Sequence, residues 1–219
     1  MDFTRINWDK ITEKTIETLV MTFESLIAVF ILGIILGLLL YLTSNSKNKI
    51  IISIYAIIAA VVNIFRAIPF IILIVLLIPF TKAIIGTILG VQAAIPALII
   101  SAAPFYARLV EIALREVDKG VIEAVKAMGA KNLTIITKVL IPESKPALIS
   151  GLTVTAIALV GSTAMAGVIG AGGLGNLAYL DGFQRNNNTV TIVSTIVILI
   201  IVFVIQYLGD FFVKRVDKR

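Results

Sequence analysis

Five stretches of apolar residues, separated by polar segments, dominate the chain and predict helices that cross a membrane. A helix needs about 20 apolar residues to span the hydrocarbon core of a bilayer. The second stretch suits one long tilted helix, or a helix followed by a re-entrant piece broken near Pro69. The pattern predicts an all-α integral membrane protein with a single transmembrane domain over residues 1–219. The five spans are predicted over residues 25–43, 50–80, 84–107, 146–169 and 189–208.

Basic residues are concentrated in three polar segments, and their distribution predicts how the helices are oriented. Cytoplasmic loops of membrane proteins carry an excess of Lys and Arg. Here the basic segments are the loop with Lys47 and Lys49, the long loop over residues 108–145, and the C-terminal tail. Two predicted spans separate each segment from the next, so all three lie on the cytoplasmic side. The N-terminus is predicted outside, because its basic residues are outnumbered by Asp2, Asp9, Glu13 and Glu17.

Composition supports a membrane protein and excludes several chemistries. The chain is 59% hydrophobic and 15% charged, whereas soluble domains are about 25% charged. Cysteine and histidine are absent, which excludes disulfides, Cys/His metal sites, thiol nucleophiles and histidine acid–base catalysis. The net charge of +6 fits basic cytoplasmic loops. We therefore expect membrane lipid around the protein, no nucleic acid as a partner and no metal site.

The polar loop over residues 108–145 is larger than a simple connection requires, and its pattern predicts two short helices. One apolar stripe recurs at i, i+4 and i+7 and is formed by Val121, Val125 and Met128. Gly129 can adopt the positive φ that ends a helix. Asn132 can cap a second helix that runs to Pro142. Such a segment either rests on the membrane surface or docks in a groove of a partner protein.

The spacing of Glu123-Ala124, Gly129 and Ile141-Pro142 resembles the EAA loop of ABC importer permeases. In that family the loop forms coupling helices that sit in a cleft of the ATPase subunit. Val125 departs from the family pattern, which usually has a second alanine at this position. The resemblance implies an ATPase-coupling site made of Glu123, Ala124, Val125, Met128, Gly129, Ala130, Ile141 and Pro142.

Further segments resemble the methionine-uptake permease subunits of bacteria. They are residues 63–70, 103–111, 116–123 and 161–167, and the similarity covers most of residues 60–185. The resemblance implies a homodimer in the bacterial inner membrane, joined by two ATP-binding subunits and an extracytoplasmic methionine-binding lipoprotein. It also implies that this chain binds no cofactor itself, and that ATP and Mg²⁺ are held by the partner subunit.

Two parts of the predicted spans are candidates for the translocation pathway. Arg66 lies deep in the second stretch, where an ionisable residue either forms a structural pair or marks a pathway. The small residues of the fourth stretch permit close helix packing, or they line the pathway at a dimer axis, as the resemblance favours. The predicted pathway or gate residues are Arg66, Pro69, Phe70, Ser162, Thr163, Ala164 and Met165.

Together with these observations, the resemblance implies a permease subunit of an ATP-driven methionine importer, and not an enzyme. The glycines over residues 170–175 lack a following Gly-Lys-Ser/Thr, so they predict a bend after the fourth span and no nucleotide site. One alternative is an ABC importer for another amino acid or a small peptide. A proton-driven secondary transporter is disfavoured because the five apolar stretches contain no Asp or Glu. An intramembrane enzyme is disfavoured by the missing nucleophile–base pair.

Overall fold

The computed structural model describes residues 7–44 and 48–217, and all regular secondary structure in these ranges is helical. Asp2 and Lys47, which entered the charge argument, lie outside the described residues. Two π-helical turns cover Ile136–Leu140 and Ala178–Gln184. The α-helices are α1 (Trp8–Ser44), α2 (Lys49–Ala67), α3 (Phe70–Leu76), α4 (Ile78–Ile85), α5 (Val91–Arg115), α6 (Lys119–Ala127), α7 (Asn132–Ile135), α8 (Ile141–Val168), α9 (Gly173–Leu177) and α10 (Asn188–Val216).

Five helical segments of the described chain are long and apolar enough to cross a membrane. They are α1, α2, α5, the continuous run from α7 to α8, and α10. The prediction of an all-α protein with five transmembrane helices is therefore confirmed. The helices extend beyond several of the predicted spans because hydropathy marks the apolar part of a helix, whereas backbone hydrogen bonds decide where the helix ends.

Helix α5 lies at the centre of the bundle and packs against α1, α2, α3, α4 and α8. Tyr106 of α5 is fully buried, and its hydroxyl donates to the carbonyl of Leu148 in α8 at 3.3 Å. Gly33 and Gly37 let α1 approach α5 closely. A Cβ atom at Gly33 would meet the Tyr106 ring, and one at Gly37 would lie 2.7 Å from the Ala107 carbonyl oxygen. Small residues permit such close helix contacts in membranes.

Replacing Gly37 by alanine is expected to destabilise the fold by about 1–3 kcal/mol through overpacking. The obstructing atom at Ala107 belongs to the backbone, so a rotamer change cannot relieve the contact. Gly161→Ala is the matched control, because Gly161 is also helical and an added Cβ atom there would meet no neighbouring heavy atom within 4 Å. Thermal denaturation in detergent measures both variants. Equal midpoints for the two would contradict the packing explanation.

The second predicted span is not one helix, so the prediction of a single helix over 50–80 is wrong. Helix α2 ends at Ala67, and Ile68 adopts an extended conformation with φ −76° and ψ 123°. Proline at position 69 supplies no backbone N–H and disfavours helical geometry at the residue before it. The break near Pro69, which the sequence left as the alternative, is present. Helices α3 and α4 then continue as short pieces.

The polar segment between the third and fourth spans is shorter than the predicted loop over 108–145. Helix α5 continues to Arg115, and α8 begins at Ile141. Prediction of a helix end at Pro142 was wrong, because Pro142 lies in the first turn of α8, where its missing N–H is tolerated. The prediction that Asn132 caps this helix was also wrong. Asn132 is the first residue of α7, Lys131 occupies the cap position, and no side chain there accepts a capping hydrogen bond.

The glycine-rich segment after α8 forms the predicted bend and packs against the start of α1. Gly170, Gly172 and Gly173 have positive φ, which glycine adopts without steric cost. The Gly173 N–H donates to Glu17 Oε2 at 2.6 Å, and the Leu174 N–H donates to Thr18 Oγ1 at 2.9 Å. These bonds fix one end of the bundle.

Candidate functional site

Helix α6 lies between the third and fourth spans and has a defined cap at each end. At its start, the Asp118 side chain accepts a 2.6 Å hydrogen bond from the Gly120 N–H. At its end, the Gly129 N–H donates to the Lys126 carbonyl and the Ala130 N–H donates to the Val125 carbonyl. This pair of bonds, with Gly129 at φ 83°, is a Schellman motif. The predicted helix stop at Gly129 is therefore present, and the caps provide hydrogen-bond partners for backbone groups at both ends of α6.

One side of α6 packs on the bundle and the other side is exposed. Ile122 and Val125 contact the hydrophobic core. Glu123 and Ala124 are exposed, and the Met128 side chain is 78% exposed. The predicted stripe of Val121, Val125 and Met128 is thus not a buried face, because only Val125 of the three packs inward. The outward side instead offers apolar side chains next to Glu123, as a docking surface requires.

The remaining predicted coupling residues lie at two places. Ala130 is half-buried and completes the cap of α6. Ile141 and Pro142 lie on another helix, in the first turn of α8, after the π-helical turn. The Ile141 N–H donates to the Ile136 carbonyl, five residues back, so the helix is locally widened just before Pro142.

A buried ion cluster lies on α5 just before α6, and sequence reasoning did not single it out. The Glu111 side chain is 0% exposed. Its Oε2 atom accepts from Arg108 Nη1 at 2.6 Å, and its Oε1 atom accepts from Arg115 Nη2 at 2.7 Å. The spacing in the sequence could have predicted this cluster, because arginines three residues before and four residues after a glutamate share one helix face with it.

The same end of the bundle holds the end of α1 and the start of α6. Tyr41, Arg115, Lys119 and Glu123 line one cavity of about 430 Å³ there. At the other end, Lys10 of α1 pairs with Asp181. The segment that the sequence predicts to be cytoplasmic is therefore at the opposite end from the start of α1, as an odd number of crossings requires.

A second cavity of about 420 Å³ lies among α2, α5 and α8, beside the break at Pro69. Four predicted pathway residues line it, three from the region of the break and one from α8. These are Arg66, Pro69, Phe70 and Ser162. Sequence reasoning missed the α5 contribution, which consists of Ser101, Ala102 and Phe105. Nothing in the sequence pattern marks these three, since their role depends on how α5 packs between its neighbours.

The other three predicted pathway residues do not line this cavity. Thr163 is buried and donates to the Val160 carbonyl at 2.7 Å. Ala164 packs against Gly175, where an added Cβ atom would collide with the Ala164 backbone. Met165 is exposed on α8 in the single subunit. The small residues of α8 thus serve helix packing at Ala164, while Ser162 lies at the cavity.

Apolar spans, a cavity at a broken helix and a capped surface helix at one end define a membrane transport subunit. The chain belongs to the family of binding-protein-dependent transport system inner membrane components, whose sequence model matches residues 30–219. It is therefore a multi-pass protein of the bacterial inner membrane.

Two relatives illustrate the similarity within this family. The methionine import system permease protein MetP of Bacillus subtilis (strain 168) is 68% identical over 184 residues, which are 83% of this chain and 82% of the relative. The probable D-methionine transport system permease protein MetI of Pasteurella multocida (strain Pm70) is 45% identical over 214 residues, which are 97% of this chain and 98% of the relative.

Solved structures extend the similarity to the whole fold. A chain of the MetNI methionine ABC transporter in an inward-facing conformation matches with a TM-score of 0.93 and 45% identity, and each chain is covered completely. A chain of an amino acid ABC transporter crystallised with histidines matches with a TM-score of 0.75 at 22% identity, over 98% of this chain and 99% of that chain. The second similarity concerns the fold alone.

Proposed function

We propose that this chain is the permease subunit of an ATP-driven importer for methionine. In this proposal two copies form the translocation pathway, two ATP-binding subunits dock on them, and an extracytoplasmic lipoprotein delivers the amino acid. The relatives named for methionine transport, at 68% and 45% identity, support the substrate. One observation carries the proposal: the capped helix α6 lies at one end of a membrane bundle and exposes Glu123 and Met128 on its outward side.

In this proposal the ATP-binding subunits bind α6 and move the bundle through it. ATP binding draws the two α6 helices of the dimer together and opens the pathway outward, and hydrolysis reverses the movement. Glu123, Ala124, Met128 and Gly129 form the docking surface, while Val125 and Ala130 support it from the side that packs on the bundle. Ile141 and Pro142 lie at the base of α8. The energy comes from the partner, because this chain has no Gly-Lys-Ser/Thr motif for nucleotide phosphates.

The proposal places α6 in the cytoplasm and the start of α1 outside. Basic residues of α6 and its flanks support this orientation, and so does the position of α6 at the opposite end from Lys10 and Asp181. The pathway runs beside the cavity of Arg66, Pro69, Phe70 and Ser162, with Thr163, Ala164 and Met165 on the adjoining turn of α8. The polar segment over 184–188 then faces the lipoprotein.

A proton-driven transporter is a weaker explanation. Helix α5 does carry the buried Glu111, but both of its carboxylate oxygens are bound by arginines. Glu111 is therefore engaged in an ion cluster at one end of α5, and it does not line the cavity among α2, α5 and α8.

Affinity purification of the tagged chain in mild detergent tests the proposal. We expect an ATP-binding subunit and a solute-binding lipoprotein to co-purify, and the reconstituted assembly to take up labelled methionine when ATP is enclosed. Uptake that persists without ATP would support the proton-driven alternative. ATP-dependent uptake of another amino acid or a small peptide, with methionine excluded, would move the assignment to another importer of this family.

A further inference from the structure

The cavity beside the α2–α3 break combines three kinds of chemistry in one space of about 420 Å³. It has one cationic side chain, Arg66, and the hydroxyl groups of Ser101 and Ser162. Its remaining walls are largely aromatic and aliphatic, formed by Phe65, Ile68, Phe70, Ala102, Phe105, Ala158 and Leu159. Binding sites for small molecules have this size and this mixture of apolar walls with a few polar groups.

Arg66 has no anionic partner among the described residues. The ion pairs of the described chain involve other residues, and no Asp or Glu lines this cavity. Arg66 also lies in the last turn of α2, at the helix break. An arginine within a membrane-spanning segment normally pairs or marks a substrate pathway. Arg66 is exposed in the single subunit and lines the cavity, so its guanidinium group is available to a small anionic group that enters there.

The helix break supplies acceptors for a positive group near the same arginine. Pro69 has no N–H, so the Phe65 carbonyl lacks the donor that a continuous helix would provide. The Ser162 hydroxyl donates to the Ala158 carbonyl at 3.1 Å, which leaves its oxygen lone pairs available. An ammonium group can donate to both kinds of oxygen. Discontinuous helices in transporters place substrate sites at such breaks.

The apolar walls suit a flexible, uncharged side chain. Phe70 and Phe105 contribute aromatic rings, and Ala102 and Leu159 contribute aliphatic surface. A thioether packs favourably against aromatic rings. A zwitterionic amino acid with an apolar side chain therefore matches all three parts of the cavity, whereas an anion alone or a hydrocarbon alone matches one part.

We propose that this cavity is a binding site within the permease for the transported amino acid. Arg66 binds the carboxylate, Ser162 and the Phe65 carbonyl accept hydrogen bonds from the ammonium group, and the Phe70 and Phe105 rings enclose the side chain. This inference rests on the proposed function, since it assigns a site to the substrate of the importer. It adds a selection step inside the membrane, after delivery by the lipoprotein.

The test uses the purified complex of this chain with its ATP-binding subunits in lipid nanodiscs, without the lipoprotein. Binding of radiolabelled methionine is measured in competition with two analogues. Methionine methyl ester keeps the ammonium and the thioether but has no carboxylate, and N-acetylmethionine keeps the carboxylate but has no ammonium. The variants are Arg66→Gln and Arg66→Lys. Lys82→Gln is the matched control, because Lys82 is a cation on α4 that does not line the cavity.

We expect the wild-type complex to bind methionine about tenfold more tightly than the methyl ester, as a charge-assisted hydrogen bond allows. Arg66→Gln should lose this preference while still binding the ester, Arg66→Lys should keep part of it, and Lys82→Gln should resemble the wild type. A wild-type complex that binds no methionine, or binds the ester equally well, overturns the inference. An Arg66→Gln complex that retains the preference overturns it as well.

Uptake assays separate a failure of this inference from a failure of the proposed function. Wild-type proteoliposomes with enclosed ATP and added lipoprotein measure transport directly. If they take up methionine while the nanodisc complex shows no carboxylate preference, the importer assignment stands and the internal site is wrong. If they transport no methionine at all, the proposed function itself fails.

Discussion

With Glu123→Lys and Gly129→Asp introduced together, the protein is expected to insert in the membrane normally and to lose ATP-driven uptake completely. Glu123 lies on the exposed side of α6, so lysine reverses the charge at this position of the proposed docking surface. Like charges brought together in an interface cost several kcal/mol. Gly129 closes the Schellman motif with φ 83°, and a non-glycine residue held in such a conformation costs about 1–3 kcal/mol. Membrane content, co-purification of the ATPase subunit and uptake are measured together.

A matched control exists at the opposite end of the bundle. Gly86 also has φ 83°, and an added Cβ atom there would meet no neighbouring heavy atom within 4 Å, as is true of Gly129. Glu13 is exposed near the start of α1. The Glu13→Lys, Gly86→Asp variant therefore carries the same charge change and the same backbone strain at sites distant from α6. It should retain ATP-driven uptake. Equal loss in both double variants would mean that strain, and not docking, explains the result.

Features that depend on local chain chemistry could be predicted from the sequence. The helix stop at Gly129 and the break near Pro69 follow from one residue type each, glycine at positive φ and proline without an N–H. The five spans follow from the length of the apolar stretches. Each of these properties is present in the structure because neighbouring residues along the chain, and not distant ones, decide it.

Features that depend on packing between distant helices could not be predicted in the same way. Arg66 and Ser162 were predicted from the sequence as pathway residues. Their position beside Ser101 and Phe105 in one cavity could not be predicted, because it depends on how α2, α5 and α8 pack together. The boundary of the predicted loop at residue 108 was misplaced for a related reason. Charged residues interrupt the apolar pattern there, yet Glu111 is buried and pairs along the helix, so α5 continues to Arg115.

The cluster around Glu111 lies near the end of α5, just before α6, and its charges are unequally exposed. Glu111 is 0% exposed, whereas Arg108 and Arg115 are 39% and 43% exposed. Either arginine can therefore turn to water when its partner is removed, but the carboxylate cannot. An uncompensated buried charge is the main cost of breaking such a cluster. Removing the two arginines should thus destabilise the protein more than removing the Glu111 carboxylate.

We expect Arg108→Met with Arg115→Met to destabilise the protein by about 3–5 kcal/mol, because the buried Glu111 carboxylate loses both partners. Methionine keeps an unbranched stem, so little packing is lost. Glu111→Gln alone should cost clearly less, and adding Glu111→Gln to the double arginine variant should restore part of the lost stability. This recovery is the coupling energy of the cluster. Thermal denaturation midpoints in one detergent measure all four proteins. If Glu111→Gln proved the most damaging change, or gave no recovery, the carboxylate would not be the group that the arginines protect.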